Sequence, residues 1–265
     1  VGYSASLENK KYKFNQNRPG AYFFENYEVS NVRDSTSFNT LENKLYIQYK
    51  DKALGQFQLD LYHHNWDYSL GPKEYEKDTL LSNQIKTSQL AAQARWQKEL
   101  FGVTTSAMGY QSLNKDYATQ AFTLDIKRPL VKDILLGASY KYRSQPLNFN
   151  FYLAESDYKM YNWDNTHLEN QQFNTRSVFI SHPKWGRIQG EWTSIDNFTF
   201  LNNTTRLRDL NKKFSLEVLQ TDKKIDYFKA RLNQRIDFGN FSWVNNVQYQ
   251  KVNQEKDPDA ILSGP

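Results

Sequence analysis

An all-β fold, an antiparallel transmembrane β-barrel with short turns on one side and long loops on the other, is what three features of this sequence predict. The first is a two-residue alternation of apolar and polar side chains, plainest at Arg187-Ile188-Gln189-Gly190-Glu191-Trp192-Thr193. Successive side chains on a strand leave opposite faces, so such a strand is oily on one side and charged on the other. The second is the connections, in which tight turns alternate with long polar passages. The third is a composition that is polar on average yet 15% aromatic, with 18 Tyr and 17 Phe, whereas disordered chains are poor in aromatic and β-branched residues. The chain is therefore ordered, but not around an ordinary core.

Taken in order, Gly2 to Leu7 reads as a short strand, and the passage from there to about residue 40 carries no clear element beyond a turn at Asn17-Arg18-Pro19-Gly20. From Leu41 the alternation begins. Leu41, Leu45, Ile47 and Tyr49 oppose Glu42, Lys44, Gln48 and Lys50, and a tight link over 51–54 returns the chain as 55–64 with Phe57, Leu59 and Leu61 opposite Gln56, Gln58 and Asp60. Two amphipathic strands joined this closely form a hairpin. A polar excursion over 65–83 follows, then a strand over 85–96 with Leu90, Ala92, Ala94 and Trp96 against Thr87, Gln89, Gln93 and Arg95, and another over 101–110.

Residues 117–127 present Phe122, Leu124 and Ile126 opposite Asp125 and Lys127, residues 128–133 turn, and 134–142 present Ile134, Leu136, Ala138, Tyr140 and Tyr142 opposite Lys141. The longest excursion, 143–172, leads to a strand over 173–181, a turn at 182–186 and the Ile188–Trp192 strand. A further excursion, 196–211, precedes strands expected at 212–221 and 225–236, the latter with Phe228, Ala230, Leu232 and Ile236 against Lys229, Arg231, Asn233 and Arg235. A turn over 237–240 and a strand over 241–249 end the pattern, and a polar tail starts at Lys251. This amounts to roughly ten to twelve strands in one domain over 1–265, with 1–40 the least defined part.

The asymmetry of connections is that of transmembrane barrels, with strands near ten residues. Trp96, Phe101, Tyr140, Tyr142, Trp185, Trp192, Trp243 and Tyr249 fall towards strand ends, where interfacial girdles stand. The apolar sets, represented by Leu45, Ile47, Phe122, Leu124, Ile188, Trp192, Phe228 and Leu232, are expected to face lipid. The polar sets, with Lys44, Lys50, Arg95, Lys127, Lys141, Arg187, Glu191, Lys229, Arg231 and Arg235, are expected to line a pore. Adding Arg143 gives ten bases on the polar faces against the four acids Glu42, Asp60, Asp125 and Glu191, a balance expected to favour anions.

Other chemistries find little support. No window resembles a transmembrane helix and no charged leader opens the sequence, so any signal peptide is expected outside it. There is no Cys, hence no disulfide or thiolate metal site. The net charge of +5 is spread too thinly for nucleic-acid binding. His63 and His64 fall on opposite strand faces, and Glu255, Asp257 and Asp259 lack the glycine and distal Glu of a calcium loop, so no metal is expected. No nucleophile–base arrangement or phosphate-cradling loop is present, so neither catalytic residues nor a cofactor are expected. Tyr152, Tyr158, Tyr161 and Trp163 with Glu155, Asp157 and Asp164 could form a carbohydrate platform. A loop folded on itself or into the pore is the plainer reading.

The segment Pro146-Leu147-Asn148-Phe149-Asn150-Phe151-Tyr152-Leu153-Ala154-Glu155-Ser156-Asp157-Tyr158-Lys159-Met160-Tyr161-Asn162-Trp163 resembles the putative porin family of Bacteroidota outer membranes, and Ser194-Ile195-Asp196-Asn197-Phe198-Thr199-Phe200 resembles a second stretch of it. The resemblance implies a portion of a larger barrel in the bacterial outer membrane, bordered by lipid and lipopolysaccharide and passing small hydrophilic solutes. It carries no catalytic residues. Two alternatives remain: a non-conducting barrel subunit working with other outer-membrane proteins, and a secreted glycan-binding β-sandwich or β-solenoid, in which a second sheet would shield Trp192 and Leu232.

Overall fold

The computed structural model describes residues 1–16, 32–70, 84–131, 133–154, 163–203 and 216–254. Eleven strands form one antiparallel sheet: β1 (Gly2–Gln16), β2 (Val32–Asp51), β3 (Gly55–Leu70), β4 (Gln84–Leu100), β5 (Val103–Ser112), β6 (Gln120–Val131), β7 (Ile134–Gln145), β10 (Gln171–His182), β11 (Gly186–Asp196), β14 (Ile225–Phe238) and β15 (Phe241–Gln254). Between β7 and β10 lie a single helical turn, α1 (Phe149–Tyr152), and the short strands β8 (Leu153–Ala154) and β9 (Trp163–Asp164). Between β11 and β14 lie β12 (Thr199–Asn203) and β13 (Leu216–Gln220). Each strand of the large sheet pairs with its neighbour along the chain, so the sheet is an uninterrupted meander. It is open, and because all its pairings are antiparallel the two edge strands, β1 and β15, run the same way and cannot pair with each other antiparallel.

Register sorts the side chains. Residues paired across an antiparallel ladder share a face, and one row runs Lys50, Gln56, Gln97, Ser106, Asp125, Ser139, Ser177, Glu191, Lys229. A row of the other parity runs Phe122, Tyr142, Asn174, Ser194, Asp226. On β3 and β4 the polar rows are the more enclosed, and Asp60 and Gln89 have no exposed surface; on β14 the order reverses, with Arg231, Asn233 and Arg235 exposed and Leu232 and Ile236 half-buried. The apolar rows stand open, with Leu45, Ile47, Ile188 and Trp192 close to half exposed. Among the described residues no second layer covers this apolar face, so the β-sandwich expectation, with Trp192 shielded, does not hold.

The outward apolar band has borders. On β2–β4 it runs from Tyr49, Phe57 and Trp96, one row above Asp51, up to Leu45 and Leu61, where Asn43, His63 and Ser88 take over. On β10–β15 its upper edge is Arg176, Ser194, Asp226 and Lys251. Just beneath stand Trp192 and Phe228, 5.1 Å apart between ring centroids, with Tyr249 6.3 Å from Phe228. Aromatic rings at both borders of an apolar band are the arrangement of interfacial girdles.

Several boundaries differ from those the sequence suggested. The short strand expected at Gly2–Leu7 is present and continues as β1 to Gln16, and the passage left unassigned before residue 40 also holds the first part of β2; the turn at 17–20 lies outside the described residues. The excursion expected at 65–83 is strand as far as Leu70. There the alternation inverts, with Trp66 and Tyr68 on the enclosed face and Asn65, Asp67 and Ser69 outward, so a search for outward apolar residues ends the strand too early. The strand expected at 212–221 is present over Leu216–Gln220, with 212–215 outside the described residues, but it belongs to a separate two-stranded sheet and not to the large one. The ladder of β11 and β14 stops at Ile195 and Ile225, Asn197 takes a φ of 58°, and β13 pairs with β12. β6 continues to Val131 across an irregularity at Pro129, and β15 continues to Gln254 where a polar tail was expected.

The short turns are tight enough to need glycine. Gly186 has φ 97°, and a Cβ there would strike the backbone of Asn233 on the neighbouring strand, so any other residue would strain both the turn and the ladder.

The two faces predict opposite responses from adjacent residues. Leu232→Arg puts a guanidinium on the outward apolar face, where near a bilayer midplane it costs about 2–4 kcal/mol. Asn233→Arg puts the same group on the enclosed polar face and should leave folding intact. Heat-modifiable migration of the full-length protein in detergent measures the folded fraction, and equal damage from the two would refute the assignment of faces.

Candidate functional site: the enclosed face

Every residue expected to line a pore, Lys44, Lys50, Arg95, Lys127, Lys141, Arg187, Glu191, Lys229, Arg231 and Arg235, lies by register on the enclosed face, and the eight expected to meet lipid lie on the other. The sequence did not show how these side chains are partnered. Asp60 is the hub on β2–β4. Its carboxylate accepts from Gln58 Nε2 at 2.6 Å and Gln93 Nε2 at 3.3 Å, with Lys44 Nζ at 3.4 Å and Arg95 Nη2 at 3.8 Å. A carboxylate with no exposed surface has to be paired and hydrogen-bonded to remain charged. Lys44 also stands 5.2 Å over the Tyr62 ring.

On the opposite part of the sheet the cations have other partners. The Arg187 guanidinium lies 3.8 Å over the ring of Phe179, which occupies the space left by the missing side chain of Gly137. Arg143 lies 5.1 Å over Phe173, and Arg231 Nε donates to Gln248 Oε1 at 3.2 Å. Between the two parts runs an open groove of about 530 Å³ lined by Gln56, Gln58, Arg95, Thr123, Asp125 and Lys141. Its wall mixes amides, hydroxyls and both signs of charge with the apolar residues Trp96, Ala107 and Met108.

At the upper end, above the apolar band, the connection between β7 and β10 folds onto the enclosed face. Phe149 is its anchor, with ring centroids 5.8 Å from Phe38, 6.3 Å from Trp66, 5.9 Å from Tyr68 and 5.4 Å from Tyr117. Tyr68, Ile85, Leu147, Tyr152 and Leu153 are buried in the same cluster. Asn148 caps the helical turn by accepting from Asn150 N at 3.1 Å, and Tyr68 donates to Asn150 Oδ1 at 2.9 Å. Burial pushes the phenols of Tyr117 and Tyr152 above their ordinary range, so both stay neutral. Gln89, fully buried, donates to the Tyr117 carbonyl at 2.9 Å.

The loops are also tied to each other. Asn170 Nδ2 donates to the Ala118 carbonyl and to Ser144 Oγ. Asn197 Nδ2 donates to Glu169 and to the Asn170 carbonyl, and Gln220 Nε2 donates to the Glu169 carbonyl.

Of the residues considered for a carbohydrate platform, most lie outside the described residues. Tyr152 is 2% exposed with its hydroxyl accepting from Leu147 N, so it offers no free face; Glu155, Asp157, Tyr158 and Tyr161 lie outside the described residues. His63 and His64 stand on opposite faces. His63 is 3.1 Å from Ser88 Oγ, whereas His64 is 3.3 Å from Glu42 and stacked between Tyr62 and Trp66. Among the described residues no group of three or more His, Asp or Glu could hold a metal ion. Sequence reasoning missed Phe149 as an anchor and Glu8, Glu99 and Asp237 as enclosed-face acids, although their even spacing from Lys10, Arg95 and Arg235 carried that signal.

A family model described as putative porin matches residues 1–260. The chain belongs to the putative porin family. No curated protein matches it. Among solved structures, the siderophore receptor PirA from Pseudomonas aeruginosa shares the fold, at a TM-score of 0.64 and 12% sequence identity, over 95% of this chain and 51% of that one. This porin-family chain therefore spans about half the length of the solved structure it matches.

Because Phe149 anchors the β7–β10 connection, Phe149→Ala should release it. Such truncation at a buried site costs about 3–5 kcal/mol, and partial exposure of Phe149 puts the loss at the lower end. Limited proteolysis of the folded full-length protein should then show faster cleavage within 145–170, with heat-modifiable migration preserved. An unchanged rate would mean that the connection is held elsewhere.

Proposed function

We propose that this chain is a portion of a bacterial outer-membrane β-barrel that passes small hydrophilic solutes and weakly prefers anions. The observation that carries the reading is the division of one sheet into an uncovered apolar face with aromatic borders and an enclosed face of charged and amide side chains. Every backbone polar group within a bilayer has to be satisfied internally, and a hydrogen-bonded sheet closed into a barrel is one of the few structures that does so. Lipid and lipopolysaccharide are the partners proposed for the apolar band, and hydrated solutes for the enclosed face. Membership of the putative porin family supports solute passage, and the outer-membrane location fits both that family and the receptor fold.

The anion preference rests on the excess of Lys and Arg on the enclosed face, since rings of such residues favour anions in pores. A non-conducting subunit of a larger envelope assembly is the second reading, favoured by the aromatic cluster that the β7–β10 connection builds against the enclosed face. The test is a planar-bilayer measurement on the full-length protein under a salt gradient. A reversal potential of anion-selective sign, larger at low ionic strength, is expected. Cation selectivity would overturn the anion preference, and the absence of conductance would favour the assembly subunit.

A further inference from the structure

The enclosed face is not uniformly basic. Among the residues of β1–β5 whose side chains are described, the inward set holds Lys10, Lys44, Lys50 and Arg95 against Glu8, Glu42, Asp60 and Glu99, which balance. Three of these four cations are at contact distance from a carboxylate, Lys10 with Glu8 at 2.8 Å and both Lys44 and Arg95 with Asp60, while Lys50 has none among the described residues. On β6–β15 the inward set holds Lys127, Lys141, Arg143, Arg187, Lys229, Arg231 and Arg235 against only Asp125, Glu191 and Asp237. Arg235 meets Asp237 at 3.0 Å. Among the described residues none of the other six has a carboxylate within 4.0 Å. Arg187 and Arg143 rest on phenyl rings and Arg231 on an amide, partners that hold the side chain without cancelling its charge.

We propose that anion passage is lateral: small solutes bearing a carboxylate or phosphate follow the β6–β15 wall, while the β1–β5 wall, neutralised by Asp60 and its fellow acids, serves uncharged solutes. This rests on the reading of the chain as a conducting barrel. The walls are five and six strands wide and adjoin at β5 and β6, so with strands about 4.8 Å apart their midlines lie roughly 26 Å apart along the sheet. The Debye length is about 8 Å at 0.15 M salt and about 30 Å at 0.01 M. At physiological salt the two walls therefore present separate fields, and at low salt the fields merge. Position on the sheet, and not total charge alone, sets selectivity.

The test uses charge-matched pairs in the full-length protein. Lys141→Gln/Lys229→Gln removes two charges from the uncompensated wall, and Lys44→Gln/Lys50→Gln removes two from the balanced wall while leaving Arg95, Gln58 and Gln93 on Asp60. Reversal potentials at 0.15 M should show the anion-to-cation permeability ratio falling about twofold or more for the first pair and much less for the second. The difference should narrow at 0.01 M. Should the Lys44 variant fold poorly, Lys50→Gln and Lys229→Gln make the comparison alone, since they sit in one ladder row. Equal shifts from the two walls overturn the lateral path while leaving anion preference standing. A wild-type channel with no anion preference overturns the parent reading, and the lateral path with it.

Discussion

The structure depends on one constraint, the continuous backbone ladder that joins β1 through β15 in a single antiparallel meander. It satisfies the main chain without help from solvent, which is what lets a polypeptide this polar stand against hydrocarbon. The ladder also fixes parity. Once Ile188 pairs with Leu232, Lys229 has to stand opposite Glu191 on the same face, and each charged residue on β11 and β14 has its face assigned. A slip of one residue would turn Arg231 and Arg235 outward and Leu232 inward. Register here is a functional variable, because it separates a lipid-compatible surface from a wall that can meet ions.

The enclosed face is organised by two devices of different chemistry. At mid-height a buried carboxylate, Asp60, gathers two amides and two cations from three strands into one network. Above it an aromatic cluster centred on Phe149 seats a loop against the same face. The first tunes charge and the second occupies space. Each depends on residues more than twenty positions apart in sequence, and the loop-to-loop bonds of Asn170, Asn197 and Gln220 add a third set of ties at the same end. The long connections are thus parts of the architecture and not merely links.

Much was legible beforehand because strand periodicity is local. Faces, hairpins and the asymmetry of connections follow from residues two apart, and Leu45, Ile47, Trp192 and Leu232 could be assigned without knowing their neighbours. The errors have a shared cause. Beyond the apolar band, Trp66 and Tyr68 reverse the polarity rule, and β13 alternates like a sheet strand although its partner is β12. Local alternation reports that a segment is a strand, but not which strand it joins or which environment each face meets.

The sequence by itself determined that the chain is an all-β membrane-type sheet and which side chains share a face, because period-two geometry is a property of the backbone. Only the tertiary structure decided how the charges are distributed. That Asp60 draws in Lys44 and Arg95 while Lys141 and Lys229 have no carboxylate at contact distance depends on distances across strands, and electrostatic energy falls with distance and rises with burial, quantities that composition does not contain. The same holds for Phe149, whose role came from five rings supplied by β2, β3 and two loops converging on it.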